Sequence, residues 1–84
     1  MAQILKIEMP EGAFAALKQD PQGFAAEMRL AAAVKWYELG RVSQSRAAEI
    51  SGLSREAFLL ALPRFQVSPF QVDEDLMARK TDHA

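Results

Sequence analysis

Residues 43–62 read SQSRAAEISGLSREAFLLAL, and the spacing within this stretch decides the fold. Two short helical runs flank a single glycine. Gly52 stands where the chain must turn with positive φ, a conformation glycine adopts without steric cost. Ala47 and Ala48 are small where a second helix has to approach, and Leu53 is expected to plug the corner. Ser54 can accept a backbone N–H bond and cap the helix that follows. On that helix Phe58 and Leu62 are four apart, so they share one face and can anchor it. The expected product is a helix-turn-helix.

Upstream, Asp20-Pro21 pairs a capping side chain with proline at the first helical position. The helix it opens is expected to run from Pro21 to about Leu39, with Gly40 as its left-handed stop. Glu27, Ala31, Lys35 and Glu38 fall in one narrow stripe of that helix, and almost everything else on it is apolar. A helix apolar nearly all round is buried on more than one side. A chain of 84 residues has little other material to surround it, so a homodimer packing this helix on its symmetry mate is expected. Arg29 lies on the apolar side; it is expected to lie along Trp36 with its tip in water, or to meet a charge across the dimer.

Further upstream, EGAFAALK at 11–18 reads as a short helix. QILKIEM at 3–9 alternates Leu5, Ile7 and Met9 against Lys6 and Glu8, the period of a half-buried strand closed by Pro10. A ribbon-helix-helix would turn Ile4, Lys6 and Glu8 outward; only Lys6 suits DNA, so this strand reads better as a dimerisation or core element. Downstream, Pro63 ends regular helix. FQVSPFQV at 65–72 reads as a kinked extended segment, because Pro69 lacks the ladder donor. Asp73-Glu74-Asp75 before Leu76-Met77 and Arg79-Lys80 places acids first and bases last, as a short helix prefers. The expected fold is mainly α: an N-terminal strand, a long central helix, a helix-turn-helix, and a short C-terminal extended segment and helix, as a homodimer. Residues 1–64 would form the core with the helix-turn-helix at 43–62, and residues 65–84 a tail.

Composition narrows the function. Half the residues are hydrophobic and a quarter charged, which argues against wholesale disorder. The absence of cysteine rules out disulfides and thiolate metal sites. No signal sequence and no apolar run of about 18 residues is present, so a cytoplasmic location is expected. The net charge of −1 is unevenly spread. Six arginines and lysines stand against three glutamates in residues 29–64, and both flanking regions are acidic. Positive charge thus gathers where phosphate contact would need it.

Catalysis fits poorly. The single histidine, His83, is penultimate, no glycine-rich phosphate loop exists, and consecutive Asp73, Glu74 and Asp75 do not converge on a point. No catalytic residue, metal or cofactor is expected, and the protein reads as a non-enzyme. Binding is the better candidate. The first turn of the second helix, Ser54, Arg55 and Glu56, would meet base edges, with Arg55 bidentate to guanine. Arg41, Ser43, Gln44 and Arg46 would meet phosphates. Residues 57–62, AFLLAL, are wholly apolar, and Leu60 shares the exposed stripe with Glu56. Leu60 suits a thymine methyl or another protein surface, so the competing reading is a protein-interaction module that inhibits or scaffolds a partner without touching DNA.

Three segments, Met9-Pro10-Glu11, the block Arg29–Leu62, and VSPFQVDEDL at Val67–Leu76, carry a resemblance. On them the chain resembles a widespread family of small uncharacterised prokaryotic proteins regarded as antitoxins of toxin–antitoxin systems. Members are often encoded beside a PIN-like nuclease toxin. The resemblance implies operator DNA binding by the helix-turn-helix and a toxin-neutralising tail. In this sequence the tail would offer Phe65, Val67, Phe70, Val72, Leu76 and Met77 to the toxin.

Overall fold

The computed structural model describes residues 2–69, which contain four helices and one 3-10 turn from Glu11 onward. In order they are α1 (Glu11–Leu17), α2 (Pro21–Glu38), α3 (Gln44–Ser51), α4 (Arg55–Ala61) and the 3-10 turn Leu62–Phe65. α2 is the axis. Asp20 caps it by accepting from the Gly23 N–H at 2.7 Å, with Pro21 at its first position. Its buried face is Phe24, Leu30, Ala33, Val34 and Tyr37. Against this face α3 brings Ala47 and Ala48, and α4 brings Phe58 and Ala61, followed by Leu62 and Val67. Ala33 and Ala47 are fully buried, so small side chains let α2 and α3 approach. α1 buries nothing fully and is held by Phe14, whose ring meets Phe24 edge-on at 5.0 Å.

Every helical run except α4, which passes directly into the 3-10 turn, ends in the same way. A residue with positive φ follows; its own N–H and that of the next residue reach back to carbonyls three and five residues earlier, respectively. Lys18 and Gln19 bond Ala15 and Phe14; Gly40 and Arg41 bond Tyr37 and Trp36; Gly52 and Leu53 bond Glu49 and Ala48; Gln66 and Val67 bond Pro63 and Leu62. This is the Schellman closure, which satisfies carbonyls that the helix leaves orphaned. At Gly52 the positive φ (+79°) favours glycine, and an added Cβ would also sit 3.3 Å from the Arg29 guanidinium, which would have to give by a few tenths of an ångström.

The structure corrects several expectations. No strand is present among the described residues: 3–9 are unpaired, since a strand needs a neighbour and the nearest candidate, 65–72, begins otherwise. Phe65 closes the 3-10 turn, Gln66 is left-handed (φ 58°), and Val67 folds back into the core at 5% exposure. The core therefore runs past residue 64. Leu53 does not plug the corner; it is 38% exposed. Arg29 does not lie along Trp36; its Nε donates to the Ile50 carbonyl at 2.8 Å, tying α2 to the end of α3. The expected segment Phe70–Val72 and the helix around Leu76 and Met77 lie outside the described residues. No described helix is long and apolar enough to cross a membrane.

Gly52→Ala should destabilise the domain by about 1–2 kcal/mol, the cost of the left-handed conformation for an L-residue. Gln66→Gly should act in the opposite direction by a smaller amount. Thermal midpoints followed by circular dichroism check both, at about 4–8 °C per kcal/mol for a domain of this size.

Candidate nucleic-acid interface

The corner formed by α3, the Gly52 turn and α4 is positioned from beneath by α2. Two hydroxyls set its helix starts: Ser43 Oγ accepts from the Arg46 N–H, and Ser54 Oγ accepts from the Ala57 N–H, both at 3.1 Å. Phe58 and Leu62 are fully buried, as their shared face anticipates. The remaining face of α4 consequently points outward and carries Arg55, Glu56 and Leu60, all exposed.

Gln44 is half-buried, and both ends of its amide are engaged. Its Nε2 donates to the Tyr37 hydroxyl at 3.0 Å and to the Pro69 carbonyl at 3.2 Å, while its Oε1 accepts from Arg55 Nε at 2.9 Å. The Tyr37 hydroxyl itself donates to the Pro69 carbonyl. Tyr37 is completely buried, and its ring meets Phe58 edge-on at 5.7 Å and 86°. One network therefore runs from the core of α2, through the first residue of α3, to the first residue of α4 and to residue 69. Gln44 holds Arg55 in place and is not free to meet a phosphate. The sequence reading missed Tyr37 and Pro69. The available signal was a lone tyrosine in an apolar helix, whose hydroxyl must find a partner when buried.

Charge at the corner is partly cancelled. Arg46 pairs with Glu49, Lys35 with Glu38, and Arg64 with Glu27. These pairs are exposed, worth little to stability, but each lowers the local positive field. Arg29 is committed to the Ile50 carbonyl. Of the six cations in residues 29–64, Arg29, Arg41 and Arg55 have no carboxylate partner among the described residues; Arg29 keeps its charge beside Gly52, and Arg41 and Arg55 lie near the two helix starts. Both are exposed, Arg41 just before α3 and Arg55 at the start of α4. Of the expected phosphate contacts, Arg41 and Ser43 are accessible, Arg46 is ion-paired, and Gln44 is engaged internally. In the expected toxin-binding set, Val67 is buried, Phe65 is half-buried against the core, and Phe70, Val72, Leu76 and Met77 lie outside the described residues. Among the described residues no group of three acidic or histidine side chains could hold a metal ion.

These features define a small, mainly helical domain with an exposed two-helix corner. The chain belongs to the uncharacterised protein family UPF0175, whose model matches residues 1–84. No curated protein and no solved structure matches it.

Tyr37→Phe should cost about 1 kcal/mol and Gln44→Ala about 1–3 kcal/mol, since each deletion leaves buried or half-buried groups short of a partner. Urea unfolding of the two variants measures this directly. Nearly additive losses in the double variant would contradict a shared network.

Proposed function

We propose that this protein is an antitoxin-like regulator acting in the cytoplasm, binding operator DNA through the α3–α4 corner and a partner toxin through the segment beyond Pro69. The observation that carries the DNA half is the pair Arg41 and Arg55. With Arg29, they are the cations of the central block that have no carboxylate partner among the described residues, and these two stand near the starts of α3 and α4, where a helix-turn-helix meets a duplex. Gln44 occupies only the Nε of Arg55, so among the described residues both terminal nitrogens are left for a bidentate contact with guanine O6 and N7. Arg41, with Ser43, would bind phosphates. The toxin half rests on the resemblance of the Arg29–Leu62 and Val67–Leu76 segments, and no enzymatic step is involved.

A specific feature favours the competing interaction module. Leu60 is 81% exposed on the same face of α4, a large apolar surface that suits a protein as well as a thymine methyl. Titrating the full chain against its own upstream region, by fluorescence anisotropy at several salt concentrations, separates the two readings. A DNA reader loses affinity steeply with salt. Arg55→Ala should cost about 1–3 kcal/mol and relax preference at one base pair, whereas Arg41→Ala should weaken all sequences alike. Binding indifferent to salt and to both arginines would reject the DNA half. For the toxin half, a truncation after Gln71 keeps the Pro69 carbonyl an amide and so keeps the acceptor of the Tyr37 network, and it should abolish recovery of the neighbouring gene product.

A further inference from the structure

The donors and acceptors around Gln44 admit one arrangement. The Tyr37 hydroxyl gives its hydrogen to the Pro69 carbonyl, so towards Gln44 it can only accept. The Pro69 carbonyl is an acceptor and nothing else. Both therefore require the Nε2 end of the Gln44 amide, whose two hydrogens serve them at 3.0 and 3.2 Å. The Oε1 end is thereby turned towards α4, where it accepts from Arg55 Nε at 2.9 Å. A reversed amide would set Oε1 against the Pro69 carbonyl and an NH2 group against the Arg55 N–H, two contacts without a match.

One member of this arrangement is less firmly held than the rest. Tyr37 is completely buried on α2, and Ala47 and Phe58 pin α3 and α4 to it. Pro69 lies beyond the 3-10 turn and beyond Val67, the last of the described core residues. A hydroxyl hydrogen rotates freely. With the Pro69 carbonyl withdrawn, Tyr37 would donate to Gln44 Oε1 instead, and the amide would turn over. Its NH2 group would then face Arg55 and release the guanidinium. We propose that Gln44 is a positioning residue for Arg55 and that its amide is a two-way relay. The Pro69 carbonyl in place holds the guanidinium aimed; its withdrawal lets the guanidinium go. The inference rests on the reading of Arg55 as a base contact and gives that contact a control input outside the helix-turn-helix. Whatever engages the chain after Pro69 and draws that residue away reaches the DNA face by rotation of one amide, with no shift of a helix.

Arginine Nε–H resonances of the isotope-labelled full chain read the relay without DNA. Two should be protected from exchange, Arg55 through Gln44 and Arg29 through the Ile50 carbonyl, and Arg55→Lys identifies the first. Gln44→Met keeps the side-chain length and removes both amide ends, so Arg55 protection should fall about tenfold while Arg29 stays unchanged. Gln44→Glu offers Arg55 an acceptor whichever way it turns and should keep the protection. Tyr37→Phe should keep it too, because Pro69 still orients the amide. An ester in place of the peptide bond after Pro69, made by supplying Phe70 as its α-hydroxy acid, weakens that one acceptor in a chain of full length. Arg55 protection should then drop several-fold in the parent chain and not at all in Gln44→Glu. On operator DNA, Gln44→Met should relax preference at the same base pair as Arg55→Ala, and Gln44→Glu should preserve it. Parallel loss of the Arg29 and Arg55 signals would mean general loosening and would overturn the relay. An ester without effect on Arg55, or full protection in Gln44→Met, would overturn it as well. The expected resonance pattern without any operator binding would uphold the relay and reject the DNA reading alone.

Discussion

The burial of one tyrosine organises the described structure. Tyr37 is inaccessible to solvent, and a buried hydroxyl without a partner costs roughly 1–3 kcal/mol. Its partners come from two separate parts of the chain, the first residue of α3 and the carbonyl of Pro69. Satisfying one atom therefore fixes the approach of α3 and the return of the chain after the 3-10 turn. The ring meanwhile supports Phe58, and through it α4. No buried side-chain polar atom is left without a hydrogen bond among the described residues. The core is apolar except for this network and Ser51, whose hydroxyl bonds back to the Ala48 carbonyl.

The same network separates the two kinds of work asked of polar residues at the corner. Ser43, Gln44 and Ser54 build it, through caps and a bridging amide. Arg41, Arg55 and Glu56 project from it. A guanidinium anchored at Nε has fewer orientations to lose on binding than a free one, which lowers the entropic cost of any contact its terminal nitrogens make. The exposed ion pairs around it act as trim on the field, and among the described residues they leave unpaired positive charge at Arg29, Arg41 and Arg55.

Much of this architecture was legible in the residues. Asp20-Pro21, Gly40, Gly52 and Ser54 mark helix ends by chemistry that is local, so they could be read one at a time. Ala47, Phe58 and Leu62 follow from period alone. What escaped was conformation without a side-chain signature, or pairing that depends on distant chain. Lys18 and Gln66 adopt left-handed φ, yet neither is glycine, so the first corner and the return of Val67 were invisible. Residues 3–9 alternate as a strand would, but alternation reports which faces differ and does not supply a neighbour. Arg29 was placed beside Trp36 by helical arithmetic; an accessible carbonyl at the end of α3, 21 residues away, held it instead. Gln44 looked like a surface contact because only the tertiary fold brings Tyr37 and Pro69 to it.

The two tight connections are built to one template. Lys18-Gln19-Asp20 and Gly52-Leu53-Ser54 each place a left-handed residue, a spacer and a cap between consecutive helices. All three sites are occupied by a task, so the joints carry no spare length. One inserted amino acid would rotate the downstream helix by about 100° around its own axis, enough to swing Phe58 out of the interior and Arg55 away from Gln44. The joint therefore sets a strict residue count more than an identity at its spacer, and added length is accommodated more readily in the longer α2–α3 link.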